Sequence, residues 1–323
     1  MQATIGREAV FRGVGLHSGA AACLTMRPAP AGHGIVFRRT DLAGAPRVPA
    51  LWDRVAPSRL CTRLEAGAGG EMGTETSATV STIEHVMAAL AGTGIANLLL
   101  DLDGPEVPIL DGSAAPFVRG ILEAGIRLQP ARQRAIRVLR RIEVREGEAW
   151  AALEPADHLE IDFAIDFADA AIGRQRKALD MANGSFVNEL ADSRTFCRQA
   201  DVAAMQAAGL ARGGTYFNAV VVDGAQILSP GGLRHPDEAV RHKMLDAMGD
   251  LALAGAPLLA RFSASRGGHA LTNRLLRMLF ADPDAWEMVD IPPELETRLP
   301  GHGVAPAPHP PAVADLRRSR ATA

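Results

Sequence analysis

The sequence predicts an α+β fold made of two similar two-layer domains, with helices packed on mainly antiparallel sheets. Short β-like runs and helical stretches occur in both halves, and 323 residues suit one large domain or two ordinary ones. A polar stretch at 126–134, "IRLQPARQR", lies between the halves and has the composition of a linker. We therefore expect one domain over 1–128, a second over 135–295, and a separate tail over 296–323.

The first half contains β-like runs and two helical stretches. The β-like runs are "AACLTMRPA", "GIVFRRTD" and "NLLLDLD". Before the last of them lies a helix, "STIEHVMAALAG", in which Ser81 can cap the first turn with Glu84 three residues later, a capping-box pattern. Gly92 and Gly94 are its stop signals. A second helix is predicted in "SAAPFVRGILEAG", and the Gly-rich segment 65–74 predicts a surface loop.

The second half begins with strand signals and continues with helices. The runs "AWAALEPA" and "HLEIDFAIDF" follow "AIRVLRRIEVRE" and flank a turn, so we expect them to pair antiparallel. Helices are predicted near 185–208 and at 236–255, with a strand at "NAVVVDG" between them and a last helix from "LTNRLLRMLFA". The Pro-rich stretch 296–323 has a basic end and is typical of a disordered tail.

Composition excludes several classes of protein. A net charge of −3 and a pI of about 6.3, without a basic stripe, argue against binding to nucleic acid or to an anionic membrane. Three cysteines without a C-x-x-C argue against a disulfide framework and a Cys-rich zinc site. The sequence shows neither a signal peptide nor a transmembrane segment. We therefore expect a cytoplasmic protein that acts as a monomer.

The stretch "VRHKMLDAMGD" at 240–250 raises the question of a metal site. At helical spacing, Met244, Leu245 and Met248 share one arc, and His242 and Asp246 share the other. Two interpretations stay open on this stretch alone. The polar arc is either a solvated helix face, or a pair of ligands four residues apart that bind one ion.

A second histidine could complete such a site. His85 directly follows Glu84, and with His242 and Asp246 it would give the three N and O donors typical of catalytic zinc. Glu84 could then take a proton from water. The alternative is that Glu84 caps its helix and His85 is a buried core histidine. His269, which follows two glycines in "SRGGHALTN", is either a general acid or a cap of the next helix.

Five motifs occur in a fixed order along the chain. They are "GVGLHSG", "STIEHVMAALAGTGIANLLLDLDGPEVPILDGSAAPF", "SRTF", "VRHKMLDAMGDLALAG" and "GGHALTNRLL". Together, over about positions 2–285, they resemble the UDP-3-O-acyl-N-acetylglucosamine deacetylase family of zinc enzymes, which commit a sugar nucleotide to lipid A. The resemblance implies a metalloamidase that removes the N-acetyl group of a UDP-linked acylated amino sugar and releases acetate. Its zinc would lie between the two α+β domains.

The resemblance also implies roles for individual residues. His85, His242 and Asp246 would be the metal ligands, a set that accepts zinc and also iron in the cell. Glu84 would be the general base, and His269 the general acid toward the leaving amine. A base and an acid with opposite required protonation states predict a bell-shaped pH profile.

Further residues are implied around these two groups. Asp250 would orient the acid His269 and keep it protonated, and Thr195 would hydrogen-bond the oxyanion. Substrate contacts are implied for Lys243 near the nucleotide phosphates, Asp166 and Phe167 beside the uridine, and Arg266 at the diphosphate. Candidates for the acyl passage and the walls of the site are Phe196, Leu210, Ala219, Leu16 and Cys61.

The chain departs from the family's pattern in two places. The stretch "AGAGGEMGT" lengthens the connection before the Glu84–His85 helix, and Cys197 and Arg198 stand where the family has Gly and an apolar residue. Two other functions stay open. One is a zinc deacetylase for a different N-acylated sugar. The other is a nucleic-acid-binding or scaffold protein, against which the net charge and the scarcity of aromatic side chains argue.

Overall fold

A computed structural model describes residues 1–66 and 78–304 and confirms the α+β class. The first half contains helices α1 (Glu84–Gly92) and α2 (Ala115–Ala124) and a 3-10 helix at Trp52–Arg54. Its strands are β1 (Gln2–Ile5), β2 (Ala9–Val14), β3 (Ala21–Pro28), β4 (Ile35–Arg39), β5 (Arg47–Pro49), β6 (Val55–Ala56), β7 (Arg63–Glu65), β8 (Thr79–Ser81), β9 (Leu98–Leu102) and β10 (Ile126–Gln129).

The second half repeats the combination of strands and helices. Its strands are β11 (Arg134–Val138), β12 (Ile142–Glu146), β13 (Ala149–Pro155), β14 (Glu160–Asp166), β15 (Arg174–Asp180), β16 (Phe196–Arg198), β17 (Val220–Asp223), β18 (Gln226–Ile227), β19 (Leu258–Ser265) and β20 (Trp286–Asp290). Its helices are α3 (Gln199–Ala207), α4 (Glu238–Leu251), α5 (His269–Phe280) and α6 (Pro293–Glu296), with a π-helix at Phe186–Leu190 and a 3-10 helix at Ala252–Ala254.

The larger sheet of the first half has the order β2-β3-β9-β4-β5, and only its β4–β9 pair is parallel. Strand β3 shows why one face is buried. Ala22, Leu24 and Met26 alternate with more exposed residues, as the two-residue period of a strand requires. That face packs into a core of apolar side chains contributed by both halves of the chain.

Strand β19 is central in the large sheet of the second half. It pairs antiparallel with β13 on one side, and parallel with β11 and then β14 on the other. The expected direct pairing of "AWAALEPA" with "HLEIDFAIDF" is therefore wrong, because β19 lies between β13 and β14. No local turn signal could show the insertion of a strand that comes about a hundred residues later.

Helices α1 and α4 pack directly against each other and join the two halves. A Cβ atom at Gly249 would overlap the main-chain carbonyl oxygen of Glu84, so only glycine permits this approach. Helix α1 is buried on nearly every side, as its continuous apolar sequence predicts. The close approach brings the first turn of α1 against the middle of α4.

Several local expectations need correction. Helix α1 begins at Glu84, Ser81 ends strand β8, and the N-cap position is Ile83 without a side-chain cap bond, so the capping box is wrong. The expected linker starts with β10, which pairs with β1 through Gln2 and Gln129. The helical region near 185–208 is interrupted by β16, because Phe196–Arg198 pairs in parallel with β17. Of the predicted loop 65–74, residues 67–74 lie outside the described residues.

The chain beyond α5 is more ordered than its composition predicts. Arg298 donates a hydrogen bond to Nε2 of His158 at 2.9 Å, and Leu299 packs on a small apolar cluster. Residues 299–304 line a cavity of about 550 Å³ between the two halves. The expected disordered tail over 296–323 is therefore wrong for 296–304, and 305–323 lie outside the described residues. None of the helices described is long and apolar enough to cross a membrane.

Candidate active site

The structure brings His85 of α1 together with His242 and Asp246 of α4. Oδ1 of Asp246 lies 3.3 Å from Nε2 of His242 and 3.7 Å from Nε2 of His85, and one ligand atom from each residue lies within 4.8 Å of the other two. All three side chains are buried. The interpretation of this arc of α4 as a solvated face is therefore wrong, and the three donors from two helices form a candidate metal site.

Hydrogen bonds orient these donors. Nδ1 of His242 donates to the carbonyl oxygen of Ser193 at 3.0 Å, so in the neutral ring the Nε2 lone pair faces Asp246. Two acceptors at 3.3 Å in a buried site repel each other unless a proton or a cation lies between them. Lys243 donates to the other Asp246 oxygen, Oδ2, at 3.0 Å, and holds the carboxylate in place.

The charge states of the cluster fit a divalent cation. Burial, reinforced by His242, lowers the pKa of His85 to about 3, and burial also lowers the pKa of His242. Burial opposes ionisation of Asp246, but His242 and Lys243 outweigh it and lower the pKa of the carboxyl. At neutral pH the cluster therefore offers two neutral imidazoles and one carboxylate, the forms that bind a metal. Tetrahedral zinc with bonds of about 2.0–2.1 Å separates its ligand atoms by about 3.4 Å, close to the 3.3 Å and 3.7 Å between Asp246 and the two histidines.

Glu84 lies beside this cluster with a raised pKa. One of its oxygens accepts a hydrogen bond from the main-chain N–H of Thr62 at 3.0 Å, and the other lies 3.8 Å from Nε2 of His269. Burial raises the pKa of Glu84 to about 7, with smaller contributions from Asp246 and Asp250. A carboxyl with a pKa near neutral can both take up and release a proton, as a general base must.

His269, at the start of α5, has the opposite electrostatic bias. Its Nδ1 donates to Oδ2 of Asp250 at 2.8 Å, and Oδ1 of Asp250 accepts from the Thr62 hydroxyl at 2.6 Å. Burial opposes protonation of His269, but the carboxylates of Asp250 and Glu84 outweigh it and raise the pKa to about 9. His269 is therefore a cation at neutral pH, with Nε2 directed toward Glu84.

Two loops form a wall next to these residues. The main-chain N–H of Gly213 donates to the carbonyl oxygen of Leu16, and that of Arg212 donates to the carbonyl oxygen of His17. The N–H of Ala211 also lies 3.4 Å from Nδ1 of His17, so Leu210, the residue before Ala211, is near the loop that contains Leu16. Cys61 lies near Glu84, because the main-chain N–H of the next residue, Thr62, donates to the Glu84 carboxylate. Burial, followed by the Glu84 charge, raises the pKa of the Cys61 thiol to about 12.

An aromatic path leads away from His242. The rings of Phe196 and His242 pack edge-on with their centroids 6.3 Å apart. Phe167 and Phe196 pack in the same manner with a centroid distance of 5.3 Å. Thr195 lies in the same segment as Phe196 and Ser193, the two residues that contact His242, and its main chain pairs with Gly112 and Val220.

The residues expected to bind the nucleotide lie at the Phe167 end of this path. Asp166 ends β14 directly before Phe167, and it accepts a hydrogen bond from Arg266 at 2.7 Å. The Arg266 guanidinium also pairs with Glu148. Ala219 is buried next to β17, where its carbonyl oxygen accepts from Ser229. Asp166, Phe167 and Arg266 thus lie together, and Ala219 is engaged in packing.

Comparison with known proteins adds an independent observation. The sequence model of the family described as LpxC, UDP-3-O-acyl N-acetylglycosamine deacetylase, matches residues 2–281. The chain belongs to this deacetylase family. The UDP-3-O-acyl-N-acetylglucosamine deacetylase of Phenylobacterium zucineum (strain HLK1) is 49% identical to it over 288 residues, 89% of this chain and 96% of the relative. That of Myxococcus xanthus (strain DK1622) is 46% identical over 303 residues, 94% of this chain and 93% of the relative. That of Shewanella frigidimarina (strain NCIMB 400) is 43% identical over 297 residues, 91% and 94%.

Three residues of this deacetylase-family site have no role in the predictions from sequence. Thr62 bridges Glu84 and Asp250, Ser193 fixes the tautomer of His242, and Glu106 anchors the loop at His17. Thr62 stands in none of the five motifs. Ser193 is the first residue of "SRTF", but it acts through its main-chain carbonyl oxygen, which a side-chain pattern does not show. Glu106 lies within one of the five motifs, but its acceptor role depends on strands that meet only in the fold.

Proposed function

We propose that the protein is a zinc-dependent amidase that hydrolyses the N-acetyl group of UDP-3-O-acyl-N-acetylglucosamine and releases acetate, a step of lipid A biosynthesis. The observation that carries this proposal is the pair of oppositely biased groups, Glu84 and His269, beside the donor set of His85, His242 and Asp246. Family membership and the names of the relatives support the substrate.

The metal in this proposal is one zinc ion, and iron is an alternative with the same donor set. His85, His242 and Asp246 would hold it. When bound there, zinc supplies a Lewis acid for the amide carbonyl and lowers the pKa of water. Lys243 has its ammonium on the Asp246 carboxylate, which favours a role in orienting this ligand. A contact between Lys243 and the nucleotide phosphates remains a prediction.

Glu84 acts as the general base in this mechanism. It takes a proton from the water that attacks the acetamide carbon, and the Thr62 N–H bond fixes the direction of its carboxylate. Burial disfavours its charge, so the ionised carboxylate is a stronger base than a solvated one. Thr195 donates a hydrogen bond from its hydroxyl to the oxyanion that develops on the carbonyl oxygen.

His269 acts as the general acid. Its Nε2–H donates a proton to the amine nitrogen as the C–N bond breaks, and acetate and the free amine are the products. Asp250 accepts from Nδ1 of His269, which orients the ring and favours the imidazolium. The two groups thus provide the proton acceptor and the proton donor that amide hydrolysis needs.

The remaining residues form the proposed substrate site. Phe167 stacks on the uracil ring, Asp166 lies beside the uridine, and Arg266 meets the diphosphate. For Arg266 this means exchanging its contacts with Asp166 and Glu148 for phosphate oxygens. The acyl chain lies along an apolar passage whose candidate lining residues are Phe196, Leu210 and Ala219. Leu16 and Cys61 are candidates for the walls of the site.

Acetate release from UDP-3-O-acyl-N-acetylglucosamine tests the proposal. We expect purified protein to lose activity when its metal is removed and to regain it with Zn²⁺, with anaerobic Fe²⁺ as a second arm. His242→Gln should abolish both metal binding and activity, and His33→Gln is a matched histidine control outside the cluster. Release that survives metal removal would refute metal dependence. Equal hydrolysis of a substrate without the acyl chain would point to a different N-acylated sugar.

A further inference from the structure

Glu106 is a buried carboxylate that the mechanism above does not use. It lies between two segments that border the candidate site. One of its oxygens, Oε1, accepts from the main-chain N–H of His17 at 2.8 Å and from the Thr82 hydroxyl at 2.7 Å. The other, Oε2, accepts from the main-chain N–H of Ser18 at 2.8 Å. Only 3 % of its surface is exposed, so these bonds are protected from water.

The sequence around Glu106 accommodates this carboxylate. A Cβ atom at Gly15 would overlap the Glu106 carboxylate, so the glycine leaves the space that the acid occupies. The main chain at Glu106 also forms a bridge to Ser81, the residue directly before Thr82. The carboxylate is thus held from both sides, by the loop at 15–18 and by the end of β8.

The hydrogen bond from Thr82 connects Glu106 to the start of helix α1. Thr82 has a φ of 57°, a left-handed conformation that is unfavourable for a β-branched residue and that surrounding contacts must hold. Helix α1 starts two residues later at Glu84, and its N-cap residue, Ile83, makes no side-chain cap bond. The hydrogen bond from Thr82 to Glu106 therefore fixes the turn from which Glu84 and His85 project.

We propose that Glu106 is a positioning residue for the reaction, acting through Thr82 on Glu84 and His85 and through the 15–18 loop on the wall of the site. The inference rests on the proposed function. Glu106 itself touches neither the metal ligands nor the general acid. Its effect is to keep Glu84 and His85 correctly placed relative to the ligands on α4. A displacement of about 1 Å at a catalytic group can cost about 100-fold in rate.

A double-mutant cycle tests this connection. The variants are Glu106→Gln, which removes the charge and one acceptor at constant size, and Thr82→Val, which removes the hydroxyl. We expect each to lower kcat about 10- to 100-fold with KM within about 3-fold of wild type, counted per zinc-loaded molecule. The double variant should be no slower than Glu106→Gln alone, because both changes break one connection. Thr82→Ser, which keeps the hydroxyl, should recover most of the loss.

Zinc affinity is the second readout and does not depend on turnover. We expect Glu106→Gln and Thr82→Val to weaken zinc binding about 10-fold in competition with a chelator, because His85 is displaced. Asp101→Asn is the matched control, since Asp101 is a buried carboxylate that pairs with Arg27 and Arg38 on the sheet. Additive losses in the cycle, or zinc affinity equal to wild type, would overturn the inference. If wild-type protein releases no acetate, the proposed function fails, and the zinc comparison still decides the role of Glu106.

Discussion

The contact between Asp250 and His269 predicts a specific pH signature. Burial by itself lowers the pKa of a histidine, and at His269 it is outweighed by the carboxylates of Asp250, the larger influence, and Glu84, which raise the pKa to about 9. Asp250→Asn keeps the size of the side chain and removes its charge. We therefore expect the pKa of His269 in this variant to fall to its ordinary value near 6.5 or below.

The size of the effect follows from the two pKa values. Near pH 8, an imidazole with a pKa of about 9 is roughly 90% protonated, and one with a pKa of about 6.5 only about 3%. Loss of the acid form alone therefore lowers kcat/KM about 30-fold near pH 8. Near pH 6 the variant ring is about three-quarters protonated, so little of this loss remains. The deficit of the variant is thus largest on the alkaline side and shrinks as the pH falls.

The assay is kcat/KM for acetate release between about pH 5.5 and pH 9.5, expressed at each pH as the ratio of variant to wild type. Both proteins keep Glu84, so its titration largely cancels in this ratio, which should rise roughly 20-fold from pH 8 to pH 6. Asp101→Asn, a buried carboxylate outside the site, should give a flat ratio. A flat ratio for Asp250→Asn as well would refute the assignment of His269 as an acid held protonated by Asp250.

The remaining predictions concern the base, the nucleotide and the helix contact. Glu84→Gln should lower kcat by about 10²- to 10⁴-fold while zinc content, measured by metal analysis, stays unchanged. Phe167→Ala should raise KM about 10-fold with kcat nearly constant, and weaken inhibition by UMP to the same degree, because a stacking surface is lost. Gly249→Ala should lower the free energy of unfolding by about 2 kcal/mol, read from urea denaturation, because its Cβ overlaps the backbone of α1. An unchanged kcat, KM or denaturation midpoint would contradict the respective prediction.

Local patterns predicted the elements whose signals lie within one stretch of chain. The helix at 236–255 and the strand "NAVVVDG" appear as α4 and β17, since apolar spacing and stop signals suffice for them. The capping box was wrong for a physical reason. Serine is a common helix-capping residue, but the backbone of Ser81 pairs in β8. The turn before α1 is held instead by the bond from Thr82 to Glu106, 24 residues away. A local sequence pattern gives no information about such a distant contact.

The candidate site shows the same division. The proposed metal ligands, such as His242 and Asp246, stand in motifs and were predicted from sequence, as was Asp250, which orients His269. Thr62 and Ser193, which orient other groups of the site, were not predicted. Thr62 reaches Asp250 across 188 residues of chain, and Ser193 contributes only a carbonyl oxygen, for which side-chain identity gives no signal. Orientation in this site depends on backbone groups and on long-range contacts, and neither has a local sequence pattern.

The contact between α1 and α4 explains how the three donors His85, His242 and Asp246 come to lie together. Without a cation, the lone pair on Nε2 of His242 faces an oxygen of Asp246 at 3.3 Å, and Nε2 of His85 lies 3.7 Å from the same oxygen. Such an arrangement is unfavourable in a buried site and would relax if the helices could separate. Gly249 lets the two backbones touch, so the helices pack better together than apart. The apolar packing of the helices therefore holds three donors in place before the metal arrives, and metal binding converts their repulsion into attraction.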